Sequence, residues 1–386
     1  MNIAENTFAN TAETSFDFTL PPSLTPRQAT SLQERLADYQ QAGIRENARI
    51  EQQVQALQAQ YSRQRNQLLG SEKEQLLNDY SQQHRRPEPV EFDLTTLPTS
   101  QQPSARIDTQ RADSINYAQR LGIDLVALQR LQADYKGQFK ALTNSGQLNS
   151  SPLTLPVVKA GEQTASQAVV TPGNALYFPG NYAGWWDRNG IAAKSGSGKI
   201  MSFAPHLDHL LARVGNTIWS KNKSASNADY LLSRRENGLM LWHTVPYTAR
   251  LQVEVDFESV YCQHCIQTWD EFGWSNGDGW TNEAATMAVF WSWEDATPAT
   301  ENIDYNLAWG LEFSGDGEKS PGVKYPVSSG LIRRLTLTTP SQFPAGATVA
   351  IYVGAKQSLY AWLNDVSINT FVHSQWHLKQ INVRNL

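Results

Sequence analysis

"YTARLQVEVDF", residues 247–257, sets Tyr247, Ala249, Leu251, Val253, Val255 and Phe257 against Thr248, Arg250, Gln252, Glu254 and Asp256. Alternation with a period of two is the pattern of a strand with one face buried and the other in water. Further strands are predicted in "ATMAVFWSW" (285–293), "YNLAWGLEF" (305–313), "IRRLTLTT" (332–339), "ATVAIYVGA" (347–355), "SLYAWLND" (358–365) and "QWHLKQINVR" (375–384). In the last, Trp376 and Leu378 precede Ile381 and Val383, so the apolar phase slips by one residue, as a bulge produces. Many strands separated by Gly, Pro, Asn and Asp turns predict a two-sheet antiparallel sandwich or jelly roll.

Upstream the material changes. All 12 tryptophans lie at or beyond Trp185, and residues 1–184 are rich in Gln, Ala, Arg and Leu. From Pro26, suited to a first helical turn, to about His84 the apolar residues follow a helical period: Leu32, Leu36, Tyr39, then Ile50, Val54, Leu57 and Tyr61. Gly43 interrupts this seam, and Leu69, Leu76 and Tyr80 resume it in a shifted phase. Prolines at 87–105 predict an extended break. A second rod from about Ile107 carries Ala118, Leu121, Leu125, Leu128, Gln132, Tyr135, Phe139 and Leu142 at spacings of 3 and 4, a coiled-coil seam with a polar position at Gln132. Such a narrow stripe is hidden either by a second copy of the chain or by an antiparallel hairpin within it. The expected plan is therefore α plus all-β: a flexible or docking arm at 1–25, a helical stalk at 26–145, a linker at 146–179 and a Trp-rich β-sandwich head at 180–386.

Composition narrows the function classes. The net charge is −5 and the basic residues form no stripe, which argues against nucleic acid as a partner. No apolar run is long enough for a transmembrane segment. The first residues lack the basic start and apolar stretch of a signal peptide, so synthesis in the cytoplasm, with a virion or extracellular destination after assembly or release, is the expectation.

The strand order over roughly residues 235–386 resembles the concanavalin A-like lectin and glucanase jelly roll. "YTARLQVEVDF", "MAVFWSWED" (287–295) and "NLAWGLEF" (306–313) fall in that superfamily's order, and "SLYAWLND" looks like the strand and turn before its closing strand. The resemblance implies a fold more than a function. Its glucanases carry a Glu-x-Asp-x-Glu strand as nucleophile, orienting acid and general acid, and Glu254, Asp256 and Glu258 match those letters. They lie, however, on an earlier strand, the corresponding strand offering only Glu312. A solvent-facing row of acids produces the same letters.

Between two predicted strands stands "YCQHCIQTWDEFGWSNGDGW", residues 261–280. Cys262, His264 and Cys265 have the spacing of half a zinc site, but the chain has no second cysteine pair to complete it. His206 and His209, read as part of a helical patch "HLDHLLARV" (206–214), are possible supplements, and a disulfide or free thiols are the competing expectation. "SNGDGW" (275–280) and "FSGDGEKS" (313–320) offer oxygens for calcium without the spaced acids of a strong loop. No cofactor is expected. "SGSGKI" (195–200) fails as a phosphate loop because Ala193 and Ile200 replace its first glycine and its hydroxyl residue. Trp309, with several of Trp242, Trp291, Trp293 and Trp376, is assigned to the core.

Trp269, Asp270, Phe272, Trp274, Asn276, Asp278, Trp280 and Asn282 are the expected ligand-binding set: flat rings beside planar acceptors suit a sugar. The same rings would serve a protein receptor or plain packing. With the stalk, they predict a non-enzymatic, homo-oligomeric attachment protein for cell-surface glycan or a protein receptor, its arm docked on a larger particle. That plan resembles phage and viral attachment fibres. A glycan hydrolase or lyase on the same fold, and a helical toxin with a lectin-like head, are the alternatives.

Overall fold

The period-two segments form strands of two antiparallel sheets, and the helices lie across one of those sheets, in the computed structural model of the chain. The structure describes residues 14–21, 24–85, 105–145, 174–177, 184–195, 199–208, 210–223, 229–269, 272–291, 300–308, 312–315, 322–324, 330–339 and 342–386. In chain order the elements are β1 (Thr14–Phe18), α1 (Pro26–Leu69), α2 (Ser71–His84), α3 (Ala105–Arg120), α4 (Leu125–Ser145), β2 (Ala175–Tyr177), β3 (Gly184–Lys194), β4 (Lys199–Pro205), β5 (Arg213–Lys223), β6 (Asp229–Thr244), β7 (Leu251–Trp269), β8 (Asn276–Trp291), β9 (Thr300–Ala308), β10 (Glu312–Gly315), β11 (Gly322–Lys324), β12 (Ile332–Thr338), β13 (Thr348–Asn364) and β14 (Ser367–Asn385). The first sheet runs β1-β3-β6-β13-β8-β10, with β9 also on β8. The second runs β11-β7-β14-β5-β4, with β12 on β7 and β2 on β14.

The sandwich core follows from alternation. Leu251, Val253, Val255 and Phe257 of β7 are buried with Trp376, Leu378, Ile381 and Val383 of β14 and with Met287, Val289, Ile351 and Val353 of the opposite sheet. The slip predicted between Leu378 and Ile381 is present as a register shift between Leu378 and Gln380. Two predicted strands, 347–355 and 358–365, are one continuous strand, β13.

The segment expected as an arm supplies β1, paired with β3, and Leu20 and Leu24 pack near Trp242, whose indole donates to the Thr19 carbonyl. Within the expected linker, β2 pairs with β14. Of the "HLDHLLARV" patch, residues 206–208 and 210–212 lie in the turn between β4 and β5, closed by an Asp208–Arg213 bridge, with Leu210 and Leu211 exposed; His209 lies outside the described residues.

The helices start where the caps dictate. Thr25 and Gln28 form a reciprocal capping box with Pro26 at the first helical position. α1 runs through Gly43 and stops at Gly70, which has φ 76. The second rod is not continuous: α3 ends in a turn where the Ile123 amide donates to the Ala118 carbonyl and the Gly122 amide to that of Gln119. Gly122 has φ 64, a conformation glycine adopts without strain, and Asp124 then caps α4 through the Ala127 amide.

The coiled-coil expectation is corrected by what the seams touch. Ile50, Val54, Leu57 and Tyr61 of α1 and Tyr135 and Phe139 of α4 are buried together against Tyr230, Leu232, Trp280, Tyr360 and Trp362 on the outer face of the first sheet. Ring centroids of Tyr135 and Trp362 are 5.2 Å apart, and those of Phe139 and Trp280 are 5.5 Å apart, both edge-on. The narrow stripe is thus hidden by the chain's own sheet. Among the described residues no helix is long and apolar enough to cross a membrane.

Phe139→Ala should cost about 3–5 kcal/mol in urea unfolding, because the ring is fully buried between helix and sheet. Val126→Ala, at an exposed position of α4, should stay within about 0.5 kcal/mol. A fragment beginning at residue 174 should self-associate on gel filtration, since removing the helices uncovers Tyr230, Trp280, Tyr360 and Trp362.

Candidate functional site

The aromatic segment expected to face solvent is roofed by helices. β7 extends to Trp269 and β8 begins at Asn276, so the connection is short. Phe272 and Trp274 are buried in a cluster with Leu69, Leu77, Ala118, Ile123 and Leu128, and Trp280 is buried beneath Phe139. The Trp274 indole donates to Asp365 at 2.6 Å, while its carbonyl accepts from Gln132 at 2.8 Å and Asn364 at 3.1 Å. Asp365 also accepts from Ser81 and pairs with Arg85 of the chain following α2, and burial pushes its carboxyl up against the opposing pull of Arg85. Helix α3 comes so close that a Cβ on Gly273 would fall 2.2 Å from the Ile115 side chain. Asp278 is buried, accepting from the Trp362 indole at 3.0 Å and pairing with Lys136 at 2.9 Å, and Asn276 is half-buried. Asp270 and the side chains of Trp269 and Asn282 lie outside the described residues. The exposed platform is therefore corrected for Phe272, Trp274 and Trp280: hiding the rings of the loop and the seams of the helices is one and the same event.

The acid row lies on the outer face of the second sheet, and each member has partners. Glu254 meets Arg384 at 3.0 Å and Asn382 at 3.2 Å; Asp256 takes both a 2.7 Å and a 2.8 Å bond from Arg334 and another from Gln380; Glu258 meets His377 at 3.3 Å and Lys379 at 3.5 Å. These are three separate cross-strand ion-pair groups, as expected of a solvated face.

The "CQHC" run is divided by strand geometry. β7 bulges opposite the Gln375–Trp376 step, so that Ser259 pairs with Trp376 and Tyr261 with Gln375. Before the bulge the odd positions are buried; after it the even ones are, which turns Cys262 and His264 into the sandwich. Cys262 is a buried free thiol, and the Cys265 side chain lies outside the described residues. Cys262 and His264 meet Glu283 of β8 across the gap. One carboxylate oxygen, Oε1, accepts from Ser374 at 2.7 Å, the Trp376 indole at 2.8 Å, and Gln357; the other, Oε2, lies 3.2 Å from His264 Nε2 and 3.8 Å from the Cys262 sulfur. His264 Nδ1 shares a 2.6 Å hydrogen bond with Thr281. Gln357 continues the belt to Asn216, which is bonded to Asn237. This polar layer crosses the sandwich between two apolar clusters, one around Val255 and Ile351, the other around Leu359 and Val372.

The outer face of the second sheet holds an arrangement that no motif announced. Tyr261 lies flat on His373, 4.3 Å between centroids, with Phe371 also stacked on the imidazole at 5.7 Å and His206 edge-on at 5.0 Å. Thr217 joins the imidazoles, 2.7 Å from His373 Nδ1 and bonded to His206 Nε2. Burial, reinforced by His206 and opposed by Glu283, pushes His373 down to about 4; burial and Arg235 lower His206 as well. Both rings are therefore neutral at pH 7, each with one nitrogen engaged by the Thr217 hydroxyl. Half-buried Trp219, Gln263 and Gln375 flank them by strand pairing. The alternation that places these residues together depends on the bulge, and His206 arrives from the β4–β5 turn, so the sequence carried only the residue types.

No protein-family model matches the chain, and no curated protein matches it. Among solved structures, partial similarities are found with the Arthrobacter globiformis T6 isomalto-dextranase complexed with panose (12% identity over 50% of this chain, TM-score 0.17), the bacteriophage CBA120 tailspike protein 4 enzymatically active domain (9%, 50%, 0.14) and TmCBM61 in complex with beta-1,4-galactotriose (10%, 49%, 0.13). The match spans 23% of the dextranase, 19% of the tailspike domain and 90% of TmCBM61. Such TM-scores do not establish a shared fold.

Because folding holds His373 neutral, its contribution to stability is complete above the ordinary 6.5 and is lost as the pH falls through about 4. Urea midpoints measured from pH 7.5 to 4 should decline over that window, and His373→Gln should flatten the decline while leaving the profile above pH 7 unchanged in shape.

Proposed function

We propose that the chain is a carbohydrate-binding protein whose recognition surface is the outer face of the second sheet, around Tyr261 and His373. The observation that carries this reading is the half-buried Tyr261 ring stacked on a neutral imidazole beside Gln263, Gln375 and Trp219. A sugar ring asks for that combination: a flat apolar surface for its C–H face and neutral, planar donors and acceptors for its hydroxyls. The first sheet's comparable rings are covered by α1 and α4, which pack on β3, β6, β8 and β13 of that sheet. The site thus moves from the expected 269–282 segment to the opposite side of the sandwich.

The reading is of a binding protein more than of a hydrolase, because Glu254, Asp256 and Glu258 are each held by cations or amides. Assembly of several copies into an attachment protein belongs to the same proposal, since linked weak sites bind a repeating surface more tightly than one. The buried seams of α1 and α4 lend that assembly no support, and sedimentation of the full chain measures it.

A glycan array with the full-length protein should identify a ligand class. Tyr261→Ala should then weaken binding by tenfold or more, about 1.4 kcal/mol, with the urea midpoint little changed. Absence of any bound glycan, or a Tyr261→Ala protein that binds as tightly as the parent, overturns the proposal. Release of reducing ends that disappears in Glu258→Gln would favour the hydrolase instead.

A further inference from the structure

We infer that Cys262, His264 and Glu283 form a buried zinc site inside the sandwich. The three ligand atoms form a triangle: 3.6 Å from the Cys262 sulfur to His264 Nε2, 3.8 Å from the sulfur to Glu283 Oε2, and 3.2 Å from Nε2 to Oε2. A tetrahedral zinc with bonds of about 2.3 Å to sulfur and about 2.0–2.1 Å to nitrogen and oxygen separates the same pairs by about 3.6, 3.6 and 3.3 Å. The 3.8 Å thiol–carboxylate contact, a sulfur hydrogen bond without metal, also fits two ligands on one ion.

The surroundings are those of ligands oriented from behind. Thr281 holds the far nitrogen of His264, which directs Nε2 into the triangle. Gln357, Ser374 and the Trp376 indole all donate to Oε1 of Glu283, leaving Oε2 aimed at Cys262 and His264. All three ligating side chains are almost wholly buried, so a carboxylate stands inside the sandwich with an imidazole and a thiol as its remaining partners. Buried polar groups need partners, and a divalent cation at Oε2 would be one for Glu283, beside the three donors on Oε1. On binding, Zn²⁺ replaces the thiol proton, which leaves to solvent, and the ion then faces one thiolate, one carboxylate and one neutral imidazole. Three protein ligands leave a fourth position for water or another oxygen donor. The bulge in β7 is what makes the site, since it turns Cys262 and His264 to the same face as Glu283.

The test uses the full chain, purified and dialysed against metal-free buffer after exposure to zinc. Elemental analysis should find about one zinc per chain. Cobalt loaded in its place should give a thiolate-to-metal charge-transfer band that Cys262→Ser abolishes and Cys265→Ser keeps. Folded wild-type protein that retains no zinc and develops no cobalt band overturns the inference, as does a band lost in Cys265→Ser. If Cys262→Ser does not fold, X-ray absorption at the zinc edge of the wild-type protein decides: a single sulfur among nitrogen and oxygen neighbours supports the site, and no sulfur or two sulfurs sink it.

Discussion

The helices and the first sheet bury each other's aromatic stripes, and much of the architecture follows from that exchange. A stripe as narrow as Ile50, Val54, Leu57 and Tyr61 makes no core alone, and a sheet carrying Tyr230, Trp280, Tyr360 and Trp362 on its outer face is equally unfinished without a cover. Either surface left in water would seek a partner. Closing one on the other satisfies both within a single chain and joins α1, α4, β6, β8 and β13 into one packed layer.

Polar groups fix where that layer sits. Gln132, in register with the apolar seam, is buried and donates to the Trp274 carbonyl. Arg65, fully buried in α1, donates to Asn364 at the end of β13 and pairs with Glu74 of α2. Asp365 gathers Trp274, Ser81 and Arg85 around the β13–β14 turn. Each bond is modest, yet a helix displaced from its place would leave several buried groups unpaired, which costs far more than the bonds contribute. Register between helix and sheet is thereby specified, where hydrophobic contact alone would permit sliding.

On the other side, the β7 bulge governs both chemically distinctive regions. It directs Cys262 and His264 inward to Glu283 and leaves Tyr261 outward, where it stacks on His373. One extra residue in one strand therefore separates an interior polar belt from an outer aromatic and imidazole face, only one residue apart in sequence. The acids before the bulge keep the ordinary alternation and are balanced by Arg334, His377, Lys379 and Arg384.

Local pattern alone determined the element types: period two over 251–257 marked a strand, the slip after Leu378 marked an irregularity, and Pro26 marked a helix start, because each is set by neighbours in the chain. The Leu121-Gly122-Ile123-Asp124 turn was equally legible, glycine to stop one helix and aspartate to start the next, but a heptad that happened to run across it concealed it. What tertiary structure decided is which surface each stripe meets. Period and hydrophobicity state that a face will be buried and are silent on whether a second copy or the chain's own sheet will bury it, since both remove the same apolar area from water. That choice sealed Phe272, Trp274 and Trp280 under helices, and a bulge outside the reach of sequence period sent Cys262 and His264 to Glu283, leaving Tyr261 and His373 as the rings facing out.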